Sequence, residues 1–245
     1  MANPRHLNRA PIREAVIDIQ FSPPVALDTV KLMTERIKNE FPKSDEIWQA
    51  SVGFRLGVDG NNDETSTEKN VIGIRYDTNE YILQCQVDRF TFSRLTPYES
   101  WEEMSGVARK LWQEFISVIS PGTVTRIATR YINALPLPLP ITDFGDYLAV
   151  PPVIPEALPQ SLSSFLQRVV IVDAANESVA AVTQVFEGTP TTHATVILDI
   201  DAFKNCDKGM DPNSDDIWAK LDGLRSFKNR VFFEYLTEKT IGLFE

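Results

Sequence analysis

The sequence predicts an α+β fold, in which a large antiparallel sheet carries long helices on one of its faces. The first observation is a series of segments with alternating apolar residues, separated by turns as short as Asp77-Thr78-Asn79 and Asp88-Arg89. Such short polar turns are typical of antiparallel hairpins. The second observation is a set of longer segments in which apolar residues recur at helical spacing. With 245 residues the chain can bury a sizeable core, as one large domain or two small ones. We expect a single domain spanning residues 1–245, and two separate halves are the alternative.

The first half of the chain is predicted to begin with a strand at residues 14–21, where Ala15, Ile17 and Ile19 share one face. Further strands are predicted at residues 47–56, 71–76, 81–87 and 90–95, and helices at residues 27–41 and 96–119. The polar residues 57–70 are predicted to form an exposed loop.

The helix at residues 96–119 has the most regular pattern in the chain. We interpret Thr96 as its cap, Pro97 as its first position and Glu99 as the residue that completes a capping box. Its apolar stripe consists of Trp101, Met104, Ala108, Leu111, Trp112, Phe115, Ile116 and Ile119. A stripe this wide needs a partner surface, which the neighbouring strands can supply.

The second half repeats the general plan of the first. Strands are predicted at residues 124–135, 165–173, 178–186 and 194–203, a short helical segment at 142–148, and a closing helix at 215–237 that Ser214 caps. Proline clusters at residues 136–140 and 151–159 predict extended connectors. Because each half closes with a long helix, we expect pseudo-repeat halves at residues 10–120 and 121–245. At the level of fold this plan is TATA-binding-protein-like or helix-grip-like, an analogy that carries no function.

The charge and the cysteine content restrict the cellular setting. Acidic residues outnumber basic ones by 34 to 24, and the net charge is −10. This balance disfavours broad contact with nucleic acids or an anionic membrane. Cys85 and Cys206 do not suggest a disulfide framework. No signal peptide or stretch of about 18 apolar residues is evident. We therefore expect a cytoplasmic protein without membrane contact, and the oligomeric state is left open.

Three segments carry a resemblance to a known family. They are Ala10-Pro11-Ile12-x-Glu14-Ala15-Val16-Ile17-Asp18-Ile19, Arg130-Tyr131-Ile132-Asn133 and Leu198-Asp199-Ile200-Asp201. Their order and spacing resemble a sporadically distributed, uncharacterised family of bacterial proteins of similar length. The resemblance implies a single-domain, cytoplasmic accessory protein and supplies no catalytic residues. Sporadic distribution suits a horizontally transferred gene from a defence or mobile-element context.

The common sequence motifs of enzymes do not occur in the chain. It contains no phosphate-binding loop, no dinucleotide fingerprint, no Cys-x-x-Cys pair, no His-Glu-x-x-His and no Gly-x-Ser-x-Gly elbow. These absences favour a role other than catalysis, and no cofactor is predicted.

Arginines within predicted strands are the best candidates for an anion site. Arg126 and Arg130 lie on one face of a strand, and Arg75 lies within another. Arginines that project from a sheet can hold a phosphate or carboxylate through paired hydrogen bonds. The alternative, which we favour because surface ion pairs are common, is that these and other strand arginines pair with acids. The acids available for such pairs are Asp18, Glu80, Asp199 and Asp201.

Asp199 and Asp201 form a candidate metal site, because they point to the same side of a strand and could share a hard cation such as Mg²⁺. The alternative is an ion pair with a neighbouring arginine. The larger aromatic residues have two interpretations as well, as the lining of a ligand cavity or as core. They are Trp48, Trp101, Trp112, Trp218, Phe232 and Phe233.

Three classes of function follow from these observations. The leading one is a binding protein with a protein partner, such as an accessory or immunity-type factor, because negative charge complements basic effectors and speeds association. The second is a binder of a small anionic ligand, held in a cavity under the helices or by the sheet arginines. The third is a metal- or arginine-assisted enzyme that acts on a phosphate-containing substrate.

Overall fold

One antiparallel sheet organises the computed structural model, which describes residues 2, 4–55, 64–187 and 193–245. Within this part of the chain the strands are β1 (Ile12–Ser22), β2 (Lys43–Arg55), β3 (Glu64–Asp77), β4 (Tyr81–Gln86), β5 (Arg89–Leu95), β6 (Thr123–Pro138), β7 (Ser164–Asp173), β8 (Ser178–Glu187) and β9 (His193–Met210). The helices are α1 (Leu27–Ile37), α2 (Trp101–Ile119), α3 (Asp216–Tyr235) and α4 (Glu238–Ile241). The α+β class with a large antiparallel sheet is therefore confirmed.

The strand order in the sheet is β2-β3-β4-β5-β1-β6-β9-β8-β7. The first strands of the two halves, β1 and β6, pair with each other at the centre. Strands β2 and β7 are the two edges. No helix in the described part of the chain is both long and apolar enough to cross a membrane.

The helices cover one face of the sheet. Phe115 of α2 packs against Phe21 of β1, and Thr34 of α1 shares a hydrogen bond with Tyr76 of β3. The Nζ atom of Lys228 in α3 lies over the ring of Tyr131 in β6. The strand residues of these contacts, Phe21, Tyr76 and Tyr131, project from the same face of the sheet, because the strand register aligns them with the buried residues of β1. We call the opposite face the open face.

The long helix begins later than the sequence predicted. Its cap is Ser100, whose Oγ atom accepts a hydrogen bond from the backbone N–H of Glu103 at 3.1 Å. Thr96 is therefore wrong as the cap. The Ser/Thr-x-x-Glu pattern of a helix start occurs twice in succession here, at Thr96 and at Ser100, and the structure uses the second. Tyr98, which lies before the helix, packs edge-on against Tyr131.

The predicted loop at residues 57–70 is wrong for residues 64–70, which belong to β3; residues 56–63 lie outside the described residues. The outer part of β3 pairs with β2 from Asn70 to Glu64, whereas β4 reaches only Gly73. The result is a two-stranded ribbon, in which residues 49–51 and 68–70 are exposed. Such a ribbon needs no apolar alternation, so its polar sequence is typical of a loop.

Several other boundaries also differ. Helix α1 ends at Ile37 instead of residue 41, and the predicted helical segment at 142–148 is a single 3₁₀ turn, Phe144–Asp146. Strand β6 continues through Pro136 and Pro138, which pair with β9 alone. On the side of β6 away from β9, the N–H of Ala134 donates to the carbonyl of Pro11, and no described strand follows beyond that bond. No hydrogen bond between strands is therefore lost there through the missing N–H groups of the two prolines.

Candidate functional site

The centre of the open face is a cluster of ion pairs. The Nη1 atom of Arg126 lies 3.0 Å from Oδ1 of Asp18, and its Nη2 atom lies 3.0 Å from Oδ2 of Asp201. One guanidinium on β6 thus bridges acids on both neighbouring strands, and it lies over the ring of Phe203. Burial raises the pKa of Asp201, because loss of hydration outweighs the attraction of Arg126 and Arg130.

Arg130 forms the second pair of this cluster. It donates two hydrogen bonds to Asp199, at 2.9 and 2.6 Å. This bidentate contact raises the pKa of Arg130. The LDID segment and the arginine of the RYIN segment therefore meet on the open face. The ion pairs given above as the alternative to an anion site are present.

The three arginines predicted to bind an anion do not converge on one point. Arg75 lies on the open face of β3 and is bonded to Asp77 at 2.7 Å. Four strand spacings separate β3 from β6, a distance of about 19 Å. Arg75 cannot share one small anion with Arg126 and Arg130.

The predicted metal ligands already have cationic partners. Asp199 binds Arg130 and Asp201 binds Arg126. In the described part of the chain no group of three or more His, Cys, Asp or Glu side chains could hold a metal ion. The magnesium site therefore stays a prediction, and the geometry supplies it with no third ligand from the described residues.

The bridging arginine provides a test of this cluster. We expect Arg126→Met to lower the free energy of unfolding by about 2 kcal/mol, because the half-buried Asp201 loses its hydrogen bond. The matched control is Arg130→Met, because the side chain of Arg130 is 48% exposed against 21% for Arg126, and we expect the loss of its pair with Asp199 to cost about 0.5 kcal/mol. Urea unfolding measures both. Equal losses would contradict the bridging role of Arg126.

A second feature of the sheet is an exposed apolar surface at one edge. Ten large apolar side chains are exposed among the described residues, and seven of them fall between residues 150 and 172. They are Val150, Val153, Leu158, Leu166, Val169, Val170 and Val172. The last four lie on the edge strand β7, and we call these four side chains, Leu166, Val169, Val170 and Val172, the edge surface. Exposed apolar side chains that are concentrated on one segment are typical of interaction sites.

The open face of strand β7 is the most exposed part of the edge surface. On its open face Leu166, Val170 and Val172 are 73%, 51% and 70% exposed. They pair with Val185, Ala181 and Val179 of β8, so the apolar character continues inward. The other side of β7 pairs with no described strand. A ten-residue strand with free backbone groups and an apolar face is a template for another strand.

No sequence pattern predicted this surface, because alternation predicts a strand but not its place in the sheet. The only available signal is the run Val169-Val170-Ile171-Val172, which is apolar on both faces although it lies in an antiparallel sheet. Neither the protein-family models nor the curated proteins contain a match to this chain. The family resemblance therefore stays a prediction.

Proposed function

We propose that this chain is a binding protein that docks a protein partner on the edge surface, with a strand of the partner paired to β7. The exposed apolar side chains of β7 carry this proposal. Burying one leucine and two valines releases about 5 kcal/mol before the cost of association. The backbone hydrogen bonds of an added strand supply alignment.

The plan of the sheet supports the same position for the partner. We infer that the two halves are pseudo-repeats, as in TATA-binding-protein-like or helix-grip-like sheets. From the central pair, β1 is followed outward by β5, β4 and β3, and β6 is followed by β9, β8 and β7. In the first half β2 covers β3, whereas no described strand covers β7. The partner strand would occupy the place in the second half that β2 occupies in the first.

The chemistry of the partner follows from charge and from the strand. With a net charge of −10, this chain attracts a basic protein and speeds its association. We expect the partner's strand that pairs with β7 to have apolar side chains at every second position, on the side of the open face. The proposed role is that of an accessory or immunity-type factor. The two free cysteines, Cys85 and Cys206, favour a cytoplasmic location.

The test compares the edge surface with an equally exposed apolar side chain elsewhere. The double variant Leu166→Lys with Val172→Lys places charge on β7, and the control Leu32→Lys places it on α1, where Leu32 is 57% exposed. A partner recovered with the tagged chain from its own host is purified and titrated by calorimetry. We expect the double variant to weaken binding at least tenfold, or about 1.4 kcal/mol, and the control to bind as the wild type does.

Two results would overturn the proposal. If the double variant binds the partner as tightly as the wild type does, the contact lies elsewhere on the protein. A wild-type dimer in light scattering that becomes monomeric in the double variant would make the occupant a second copy of this chain. The metal-assisted enzyme stays a prediction that no geometry of the described residues favours.

A further inference from the structure

A cavity of about 840 Å³ lies on the helix side of the sheet, away from the edge surface. Its walls come from the N-terminal segment before β1, the start of α2, the middle of β6 and one face of α3. Ala10 and Pro11 belong to the first segment of the family resemblance, and Tyr131 and Asn133 belong to the second. Two of the three segments therefore meet at this cavity.

Lys228 of α3 lines this cavity and is 6% exposed. Its Nζ atom lies 3.4 Å from the centroid of the Tyr131 ring. No carboxylate of the described residues forms an ion pair with it. The aromatic face replaces only part of the hydration that burial removes, so burial lowers the pKa of Lys228 to about 7. Buried lysines without a partner are rare, because burying an unpaired ammonium is costly.

Arg225 lines the same cavity one turn earlier on α3. It too forms no ion pair with a described residue, and its charge adds to the depression of the pKa of Lys228. The contrast is Arg94, a buried arginine that is bonded to Glu80 at 2.6 Å and lies over the ring of Tyr81. Arg94 is thus paired with an acid, whereas no acid of the described residues pairs with Lys228 or Arg225.

The remaining walls suggest the rest of the ligand. The hydroxyl groups of Tyr98 and Tyr131 lie 3.0 Å apart, and burial raises the pKa of Tyr131 well above its ordinary value, so its phenol stays a hydrogen-bond donor. Trp101, Phe232 and Phe233 supply apolar surface. Since the acids Glu99 and Glu102 also line the cavity, a second negative charge on the ligand is disfavoured.

We propose that Lys228 and Arg225 together bind the carboxylate of a small molecule whose apolar body packs against the aromatic wall. The carboxylate supplies the negative charge that the two cations lack, and a bound monoanion accepts hydrogen bonds from both side chains. This site is separate from the edge surface, so its ligand and the protein partner are independent.

Isothermal titration with probes of similar shape tests the site. Benzoate, phenylacetate and octanoate are compared with benzyl alcohol and benzylamine. We expect the wild type to bind at least one carboxylate and to bind neither the alcohol nor the amine. Lys228→Met should weaken binding of the carboxylate at least tenfold, Arg225→Gln several-fold, and Lys228→Arg should retain most of it. Lys220→Gln, on the same helix and outside the cavity, is the matched control.

Each contrary result is decisive. Binding of benzyl alcohol as tight as that of benzoate, or unchanged affinity in a folded Lys228→Met variant, would overturn the role of the cations. Tighter binding of phenyl phosphate than of benzoate would overturn the assignment of a monoanion. Failure of every carboxylate to bind at millimolar concentration would overturn the site, while the partner experiment on β7 would be unaffected.

Discussion

Lys228→Met should raise the free energy of unfolding at pH 7 by about 3 kcal/mol. In the folded chain burial lowers the pKa of Lys228 to about 7, from an ordinary value of 10.5. Each pKa unit corresponds to about 1.4 kcal/mol, so the buried amine costs about 4 kcal/mol at pH 7. Methionine removes this cost and keeps most of the packing, at the loss of about 1 kcal/mol of contact with the Tyr131 ring.

The sign of the pH dependence follows from the same values. Between pH 7 and pH 10.5 the unfolded chain holds the lysine proton and the folded chain has released it. Lys228 therefore makes the free energy of unfolding of the wild type increase as pH rises through this window. In Lys228→Met that gain is absent, so the difference between the two proteins should shrink toward alkaline pH. The other titratable side chains of the cavity are common to both proteins; they are Arg5, His6, Tyr98, Glu99, Glu102, Tyr131 and Arg225.

Urea unfolding at several pH values between about 7 and about 9.5 measures the difference. The control is Lys220→Met, because Lys220 is solvent-accessible and paired with Asp216 on the same helix. Its stability should follow the wild-type pH profile. If Lys228→Met is less stable than the wild type at pH 7 and has the same pH slope, Lys228 is a charged, satisfied core residue, contrary to our interpretation.

Trp112→Ala should lower the free energy of unfolding by about 4 kcal/mol. Trp112 is 1% exposed, stacks on Phe115 with ring centroids 5.4 Å apart, and packs edge-on against Phe90 at 5.3 Å. Its Nε1 atom donates to the carbonyl of Pro212 at 2.9 Å, which ties α2 to the segment before α3. The substitution removes these ring contacts and leaves a cavity between α2 and the sheet.

The matched control is Trp48→Ala, because Trp48 is 59% exposed on the edge strand β2. Its loss should change stability by about 0.5 kcal/mol. Chemical unfolding followed by circular dichroism measures both variants, since each removes a tryptophan and alters the fluorescence baseline. A loss below about 1 kcal/mol for Trp112→Ala would mean that the packing of α2 does not hold the core together.

The most reliable sequence predictions were those that depend on local period. Alternation in β1 and the helical stripe of α2 each follow from which side chains one element must bury, and neighbours in the chain decide that. The same reasoning failed for residues 64–70, because they are all polar and pair with β2 without any apolar period. It also failed at the start of α2, where the Ser/Thr-x-x-Glu pattern occurs at both Thr96 and Ser100 and the observed cap is Ser100.

One signal for the cavity was present in the sequence. Lys228 lies four residues after Leu224 and four before Phe232, so it falls on the apolar stripe of α3. A lysine on such a stripe predicts either a snorkelling side chain or a buried amine. Only the packing of α3 against Tyr131 decides between them, because the wall that covers Lys228 comes from β6.

The sequence by itself determined the fold class, most of the elements and the absence of common catalytic motifs, because each depends on local composition and periodicity. The tertiary structure alone decided the strand order, and with it the functional candidates. Strand order made β7 an uncovered edge, joined Arg126 to acids on two strands, and separated Arg75 from them. These placements depend on contacts between residues distant in sequence, and no local pattern specifies them.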